Sequence, residues 1–219
     1  MTSHHIVLGP ATGACVPATL LGMNLELYQH TVTSLLNDRL ENPKFFGTPD
    51  RMTGLAADWL PPTANFAGVH DELLAGEGML GSNALRIETA TARPAGVVQP
   101  ARWIREGESL DIRFWARCVH QPCRVRTGIR SASIWGAPYD QADVVIDSAR
   151  WREYVCTVTA PCDDDAAVFF FALQEPGVVC LDQIHMRPTG TSGVNEPLLA
   201  ELGEFRIPAL RFPGGCVTT

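Results

Sequence analysis

From residue 84 onward the chain alternates. Its clearest run covers residues 108–118, where Leu110, Ile112, Phe114, Ala116 and Cys118 fall on one side. Asp111, Arg113, Trp115 and Arg117 fall on the other. This period of two is the signature of a half-buried β-strand, and a one-residue slip would bury the charges. Shorter runs of the same kind cover 84–90, 124–131, 142–147, 151–159, 168–173 and 178–187. Turn residues separate them, and no helical pattern intervenes. Seven or eight short strands of this kind predict an antiparallel sandwich, a jelly roll.

The two ends read differently. Over 31–46, Val32, Leu35, Leu36 and Leu40 follow helical spacing, and Pro43 falls where such a helix should stop. Pro61-Pro62 marks a domain boundary by composition. After the sandwich, residues 189–193 form a Thr/Gly/Ser linker. Asn195 can cap a short helix that opens with Glu196 and Pro197 and carries Leu198, Leu199 and Leu202. Residues 207–212 then make a short strand candidate, closed by Pro213-Gly214-Gly215. The expected divisions are 1–60, 64–188 and 195–219. A sandwich between two α/β pieces is the pattern of a domain inserted into a loop of its host.

Composition narrows the partners. The 219 residues are 46% hydrophobic and 19% charged, enough for a core and against disorder. The net charge of −7, with no basic run, argues against nucleic acid and anionic membrane. No stretch approaches the roughly 20 apolar residues of a membrane span. The first 21 residues lack a basic n-region, and Gly9, Pro10, Gly13 and Pro17 interrupt any apolar core there. No signal peptide is read, and a cytoplasmic location is the expectation unless an export signal precedes this stretch.

The seven cysteines include no CxxC pair, and the six histidines include no HxH or HExxH. No metal site is therefore expected from either. Cys118 and Cys123 flank a turn and could pair in an oxidising compartment; buried free thiols are the alternative. Asp163-Asp164-Asp165 reads as a solvated turn, with a structural calcium site as the alternative.

Two motifs carry a family resemblance. Val16-Pro17-Ala18-Thr19-Leu20-Leu21-Gly22-Met23-Asn24-Leu25-Glu26 resembles the first barrel strand of the glycoside hydrolase family 51 α-L-arabinofuranosidases. Ile207-Pro208-Ala209-Leu210-Arg211-Phe212-Pro213-Gly214-Gly215-Cys216 resembles that family's second strand. The 196–203 helix is similar to its first barrel helix, and 37–45 to the segment after the first strand in insert-bearing members. The sandwich resembles carbohydrate-binding modules of the family 4/9 type through Gly96-Val97-Val98-Gln99, Gly107-Glu108-Ser109-Leu110 and Leu181-Asp182-Gln183-Ile184.

The implied fold is mixed: a galactose-binding-like jelly roll inserted into the first β/α unit of a truncated TIM (β/α)8 barrel. The implied ligand is an arabinose-containing glycan. Asn24, Glu26, Arg211, Gly214, Gly215 and Cys216 are the implied substrate-binding positions; many members carry Asn where this chain has Cys216. A retaining glycosidase needs two carboxylates about 5 Å apart. By resemblance these lie on the fourth and seventh strands, past this stretch of chain, so no residue here is expected to be catalytic. No cofactor is implied, and an oligomeric full-length parent is compatible with the resemblance. On the sandwich, Trp103, Trp115, Trp135 and Tyr139 are the sugar-stacking candidates, the last two read as loop residues. The competing expectation is a freestanding carbohydrate-binding sandwich without catalysis.

Overall fold

The computed structural model describes residues 23–24, 37–62, 69–91, 95–132, 137–191, 193–204 and 210–211. The chain divides into two compact units, Leu36–Val194 and the pair Met1–Leu35 with Asn195–Thr219. In the larger unit one sheet has the order β2-β3-β10-β5-β8 and the other the order β4-β9-β6-β7. The strands are β2 (Val69–Leu74), β3 (Ala84–Thr89), β4 (Ala95–Ile104), β5 (Ser109–Cys118) and β6 (Cys123–Arg130). They continue with β7 (Pro138–Ile146), β8 (Arg152–Thr159), β9 (Asp164–Leu173) and β10 (Gly177–Pro188). Every strand pair in these sheets is antiparallel. From β3 to β10 the chain fills the two sheets in the interleaved order of a jelly roll, with β2 added at one edge.

The alternation in β5 is realised as expected: Leu110, Ile112, Phe114, Ala116 and Cys118 are all buried. They meet the inward residues of β9 across the core. The rings of Phe114 and Phe171 cross edge-on, 5.1 Å between centroids. Each such side chain contributes roughly 1.5–3 kcal/mol by leaving water. In β10 the inward positions change parity, from Val179 and Leu181 to Ile184 and Met186. A β-bulge makes the change. Between the pairs Asp182↔Trp115 and His185↔Arg113, two residues of β10 oppose one of β5, and Gln183 takes a φ of 52°.

Strands β2 and β4 escaped the pattern reading. In β4, Pro100 and the left-handed Ala101 interrupt the alternation. The register shifts between Gln99 and Arg102 and again before Ile104. Proline fits because β4 is an edge strand. Its free side is covered in part by Leu60, which exchanges backbone hydrogen bonds with Val98 at 3.0 and 2.7 Å.

Residues 37–62 correct two expectations. They contain no helix, although 31–46 was expected to be helical (residues 31–36 lie outside the described set). They also pack with the sandwich, within Leu36–Val194, and not with the first unit assigned to 1–60. The physical reason is a competition that the core wins. Asn42 and Phe45 sit at φ of 46° and 53°, incompatible with a continuing right-handed helix. That geometry delivers Leu40, Phe45, Leu55 and Trp59 into the sandwich interior, all 4% exposed or less. Trp59 packs against Phe45 and Phe169 at 5.1 and 6.1 Å, and its indole N–H donates to the Asn42 carbonyl at 2.9 Å.

This strap is also stitched to both sheets. Arg39 N–H donates to the Met186 carbonyl at 2.8 Å and Ile184 N–H to the Pro43 carbonyl at 3.0 Å. Gln99, 1% exposed, accepts from Glu41 N–H at 2.9 Å and donates to its carbonyl at 2.7 Å. Asp38 accepts from Met186 N–H and from the Arg187 guanidinium, and pairs with His185 Nδ1 at 2.5 Å.

In the smaller unit, β1 (Met23–Asn24) and β11 (Leu210–Arg211) are paired in parallel. Helix α1 (Glu196–Glu204) precedes β11. As expected, Asn195 caps it: its side chain accepts from Leu198 N–H at 3.2 Å. No helix among the described residues is long and apolar enough to cross a membrane.

The strap generates a prediction. A piece covering 36–194 should unfold in one cooperative transition, whereas 64–188 should lose several kcal/mol and bind hydrophobic dye. Trp59→Ala in the intact chain should cost about 3–5 kcal/mol in a denaturant titration. Equal stability of the two pieces would reject a structural role for the strap.

Candidate functional site

Each strand of the four-stranded sheet commits one face to the core. The other face carries a groove of about 300 Å³ lined by Pro62, Val97, Val98, Arg130, Pro138, Gln141, Phe170, Phe171 and Ala172. The register sets two glycines beside its lining residues. On β6 the outward positions run Arg124, Arg126, Gly128 and Arg130. Gly128 lies between Phe170 of β9 and Gln141 of β7. Gly96 of β4 lies beside Ala172. Neither glycine could carry a side chain unmoved: a Cβ would fall 2.3 Å from the Asp140 carbonyl oxygen at Gly128 and 1.9 Å from that of Phe171 at Gly96. Backbone of the neighbouring strands occupies both Cβ positions, so the sheet packs closely at these glycines, and the half-buried ring of Phe170 stands beside Gly128.

The polar groups sit around that ring. Gln141 is exposed on one side, and the half-buried Arg130 lies between Val168 and Pro138 at one end. Toward the other end Arg126 grips Asp143 with both carboxylate oxygens, at 2.6 and 2.9 Å. Asp143 is held below the usual carboxylate range, the Arg126 hydrogen bond being the main cause. An aromatic platform flanked by amide and guanidinium donors is suited to a ligand with alternating apolar faces and hydroxyl edges.

Of the stacking candidates read from the sequence, the three that are described, Trp103, Trp115 and Tyr139, do not line this groove. Trp103 stands on edge strand β4 with the Arg39 guanidinium 3.3 Å from its ring centroid and that of Arg105 at 5.2 Å. Arg39 in turn reaches Glu108 at 2.6 Å. Burial draws the Arg39 guanidinium below its ordinary pKa, against the pull of Glu108. Trp115 lies on the outer face of the other sheet, opposite Glu153 and Asp182. Tyr139 is not a loop residue: it belongs to β7, packs against the core and donates to Asp164 at 3.0 Å. Trp135 lies outside the described residues, as do Glu26, Gly214, Gly215 and Cys216. Asn24 and Arg211 are brought together, as direct partners in the parallel β1–β11 register.

Phe170 was missed in the sequence, yet its signal was present. In the triplet Phe169-Phe170-Phe171 the outer two are fully buried, so a strand must turn the middle ring outward.

The acidic run, read as a turn, in fact enters β9 at Asp164, and its carboxylates are engaged within the protein. Asp163 accepts from Glu106 N–H, Asp164 from Ala166 N–H and Tyr139, and Asp165 pairs with Arg105 at 2.7 Å. Among the described residues no group of three or more His, Cys, Asp or Glu could hold a metal ion. Asp182 is fully buried beside the bulge, and one of its oxygens accepts from Met79 N–H at 2.9 Å and Ser82 at 2.8 Å. Cys118 and Cys123 are free and buried. Burial is the largest cause that pushes the Cys123 thiol up to about 12, with Cys118 and Glu175 adding to it.

No family model matches the chain, and no curated protein matches it in sequence. Solved structures do resemble it in fold, and they place the larger unit among β-sandwiches of the shape that carbohydrate-binding modules also have. A CBM4 domain matches at 17% identity and TM-score 0.50, over 68% of this chain and 99% of its own. The CBM22-1 xylan-binding domain of Xyn10C from Paenibacillus barcinonensis matches at 11% and 0.53, over 73% and 99%. More of the chain is spanned by an arabinose-bound GH51 α-L-arabinofuranosidase, at 17% identity and TM-score 0.68 over 91% of this chain. The chain spans only about a third, 35%, of that enzyme's length. At these identities the likeness shows the fold.

Two measurements check the local chemistry. Asp182→Ala should strand the Met79 and Ser82 donors, cost about 1–3 kcal/mol and open the 75–83 turn to limited proteolysis. Cys123, protonated and buried, should react with a thiol reagent at pH 8 no faster than the protein unfolds. Rapid labelling of the folded chain would contradict its placement.

Proposed function

We propose that the sandwich is a carbohydrate-binding module that holds a glycan in the groove over Phe170. The observation that carries this reading is the arrangement itself: a half-buried aromatic ring in a largely apolar groove, rimmed by Gln141 and Arg130. The likeness to a xylan-binding domain supports it. Apolar contact on the ring supplies affinity, and the rim donors fix orientation.

A second reading, favoured by the parallel pair Met23↔Leu210 and Asn24↔Arg211, concerns the smaller unit. Parallel strands need a crossover between them, and here a helix leads directly into the second strand. In this reading β1 and β11 are neighbouring staves of a (β/α)8 barrel, and the sandwich is carried in the connection between them. The parent is then a retaining α-L-arabinofuranosidase. By the family resemblance Asn24, Glu26, Arg211, Gly214, Gly215 and Cys216 are the substrate-binding positions, since such barrels bind substrate at their strand ends. The two catalytic carboxylates belong to later strands.

Calorimetric titration of the chain with arabino- and xylo-oligosaccharides tests the first reading. Phe170→Ala should weaken binding roughly three- to tenfold; binding unchanged by that substitution would move the site elsewhere. For the second reading, the 219-residue chain should release no 4-nitrophenol from its α-L-arabinofuranoside. Turnover that Glu26→Gln abolishes would overturn the assignment of Glu26 to binding alone.

A further inference from the structure

We propose that the groove selects a glycan carrying a carboxylate, a uronic acid unit, and that Arg130 is the residue that reads it. The inference rests on the groove being a carbohydrate site. Its starting point is a charge with no counterpart. Arg130 is half-buried and has no hydrogen-bond or ion-pair partner among the described residues. Arginines of the sandwich that are buried or half-buried are otherwise matched, such as Arg39 with Glu108, Arg102 with Glu41, Arg126 with Asp143 and Arg187 with Asp38, while Arg51, Arg124 and Arg150, also without a side-chain partner among the described residues, are exposed to water.

The groove offers Arg130 nothing of opposite sign. Its lining contains no Asp or Glu. The carboxylates of the flanking strand are committed elsewhere. Asp140 accepts from the backbone N–H groups of Gln141 and Thr159 at 2.8 and 2.7 Å, and Asp143 is gripped by Arg126. Across the floor stand the apolar side chains of Val98, Phe170 and Ala172. Apolar walls lower the local dielectric, which makes an unmatched guanidinium costly and an arriving anion rewarding. The planar fork matches a carboxylate with two parallel N–H···O bonds. An overall charge of −7 would repel acidic chains, so this locally positive site is where one can be accepted. Gln141 and the ring of Phe170 remain for the hydroxyls and apolar face of the adjoining units.

The test uses the whole chain and matched probes in calorimetric titration. The pairs are glucuronate-substituted against plain xylotetraose, and oligogalacturonate against its methyl ester. The expected result is that one acidic member binds about tenfold tighter than its neutral partner, the value of one charge-assisted bond. That preference should shrink between about 10 mM and 1 M salt. Arg130→Gln should abolish the preference and leave neutral binding in place, and Arg130→Lys should restore part of it; thermal melting of both variants establishes that they fold. Equal affinity for acid and neutral members in the parent chain, or an equal loss of both in Arg130→Gln, would overturn the carboxylate assignment while sparing the groove. Absence of binding to any of these sugars or to arabino-oligosaccharides would end both readings.

Discussion

Each strand of the sandwich has one face committed to a shared core, and the rest of the larger unit follows from that commitment. Two sheets cannot bury their inner faces against each other unless every strand keeps its parity. Where the sequence would break parity, the structure repairs it. The bulge at Gln183 lets β10, the strand paired with both β3 and β5, keep Val179, Leu181, Ile184 and Met186 inside. The outer faces carry no such obligation. One of them carries the groove over Phe170.

What was legible in the sequence was this parity. It located seven of the strands from β3 to β10 and the whole inward face of β5. It failed where a strand is broken by its own geometry, as β4 is by Pro100 and Ala101. It failed again over 31–46, where helical spacing was real as a pattern and irrelevant as a cause. Leu40 and Phe45 are apolar because the sandwich interior needs them, and Asn42 in a left-handed conformation delivers them there. Periodicity reports which residues are apolar, not which neighbour buries them. The groove was hardest to read. Exposed tryptophans drew attention to Trp103, whose ring is already covered by Arg39. The ring that lines the groove on its outer side belongs to Phe170, hidden in a run that looks like core.

The electrostatics follow the same division between committed and uncommitted surface. The strap brings Asp38 to His185 and Arg187, and Arg39 to Glu108. Burial makes each of these pairs weak as a source of net stability but expensive to break. They act as register pins that specify where the strap lies. Arg126 and Asp143 satisfy each other in the open. Arg130 is half-buried without such a partner among the described residues, and it lies on the concave apolar surface. Two independent facts, an absent partner and a present groove, fall on one residue, and that coincidence is what gives the carboxylate proposal its content.

The proposed barrel reading of the smaller unit draws on a constraint of a different kind. Antiparallel neighbours can follow one another through a short turn, but parallel neighbours require the chain to travel back before it resumes. Between β1 and β11 it has the entire sandwich and then α1 in which to do so. A helix alone would suffice for that return, so the sandwich is surplus to the crossover. Surplus structure placed in a connection costs little, because loop-closure entropy grows only slowly with length. It also keeps its own core, which is why Leu36–Val194 is compact by itself. An insertion that folds independently can acquire a ligand of its own without disturbing its host, and a groove built wholly from β4, β6, β7, β9 and Pro62 meets that condition.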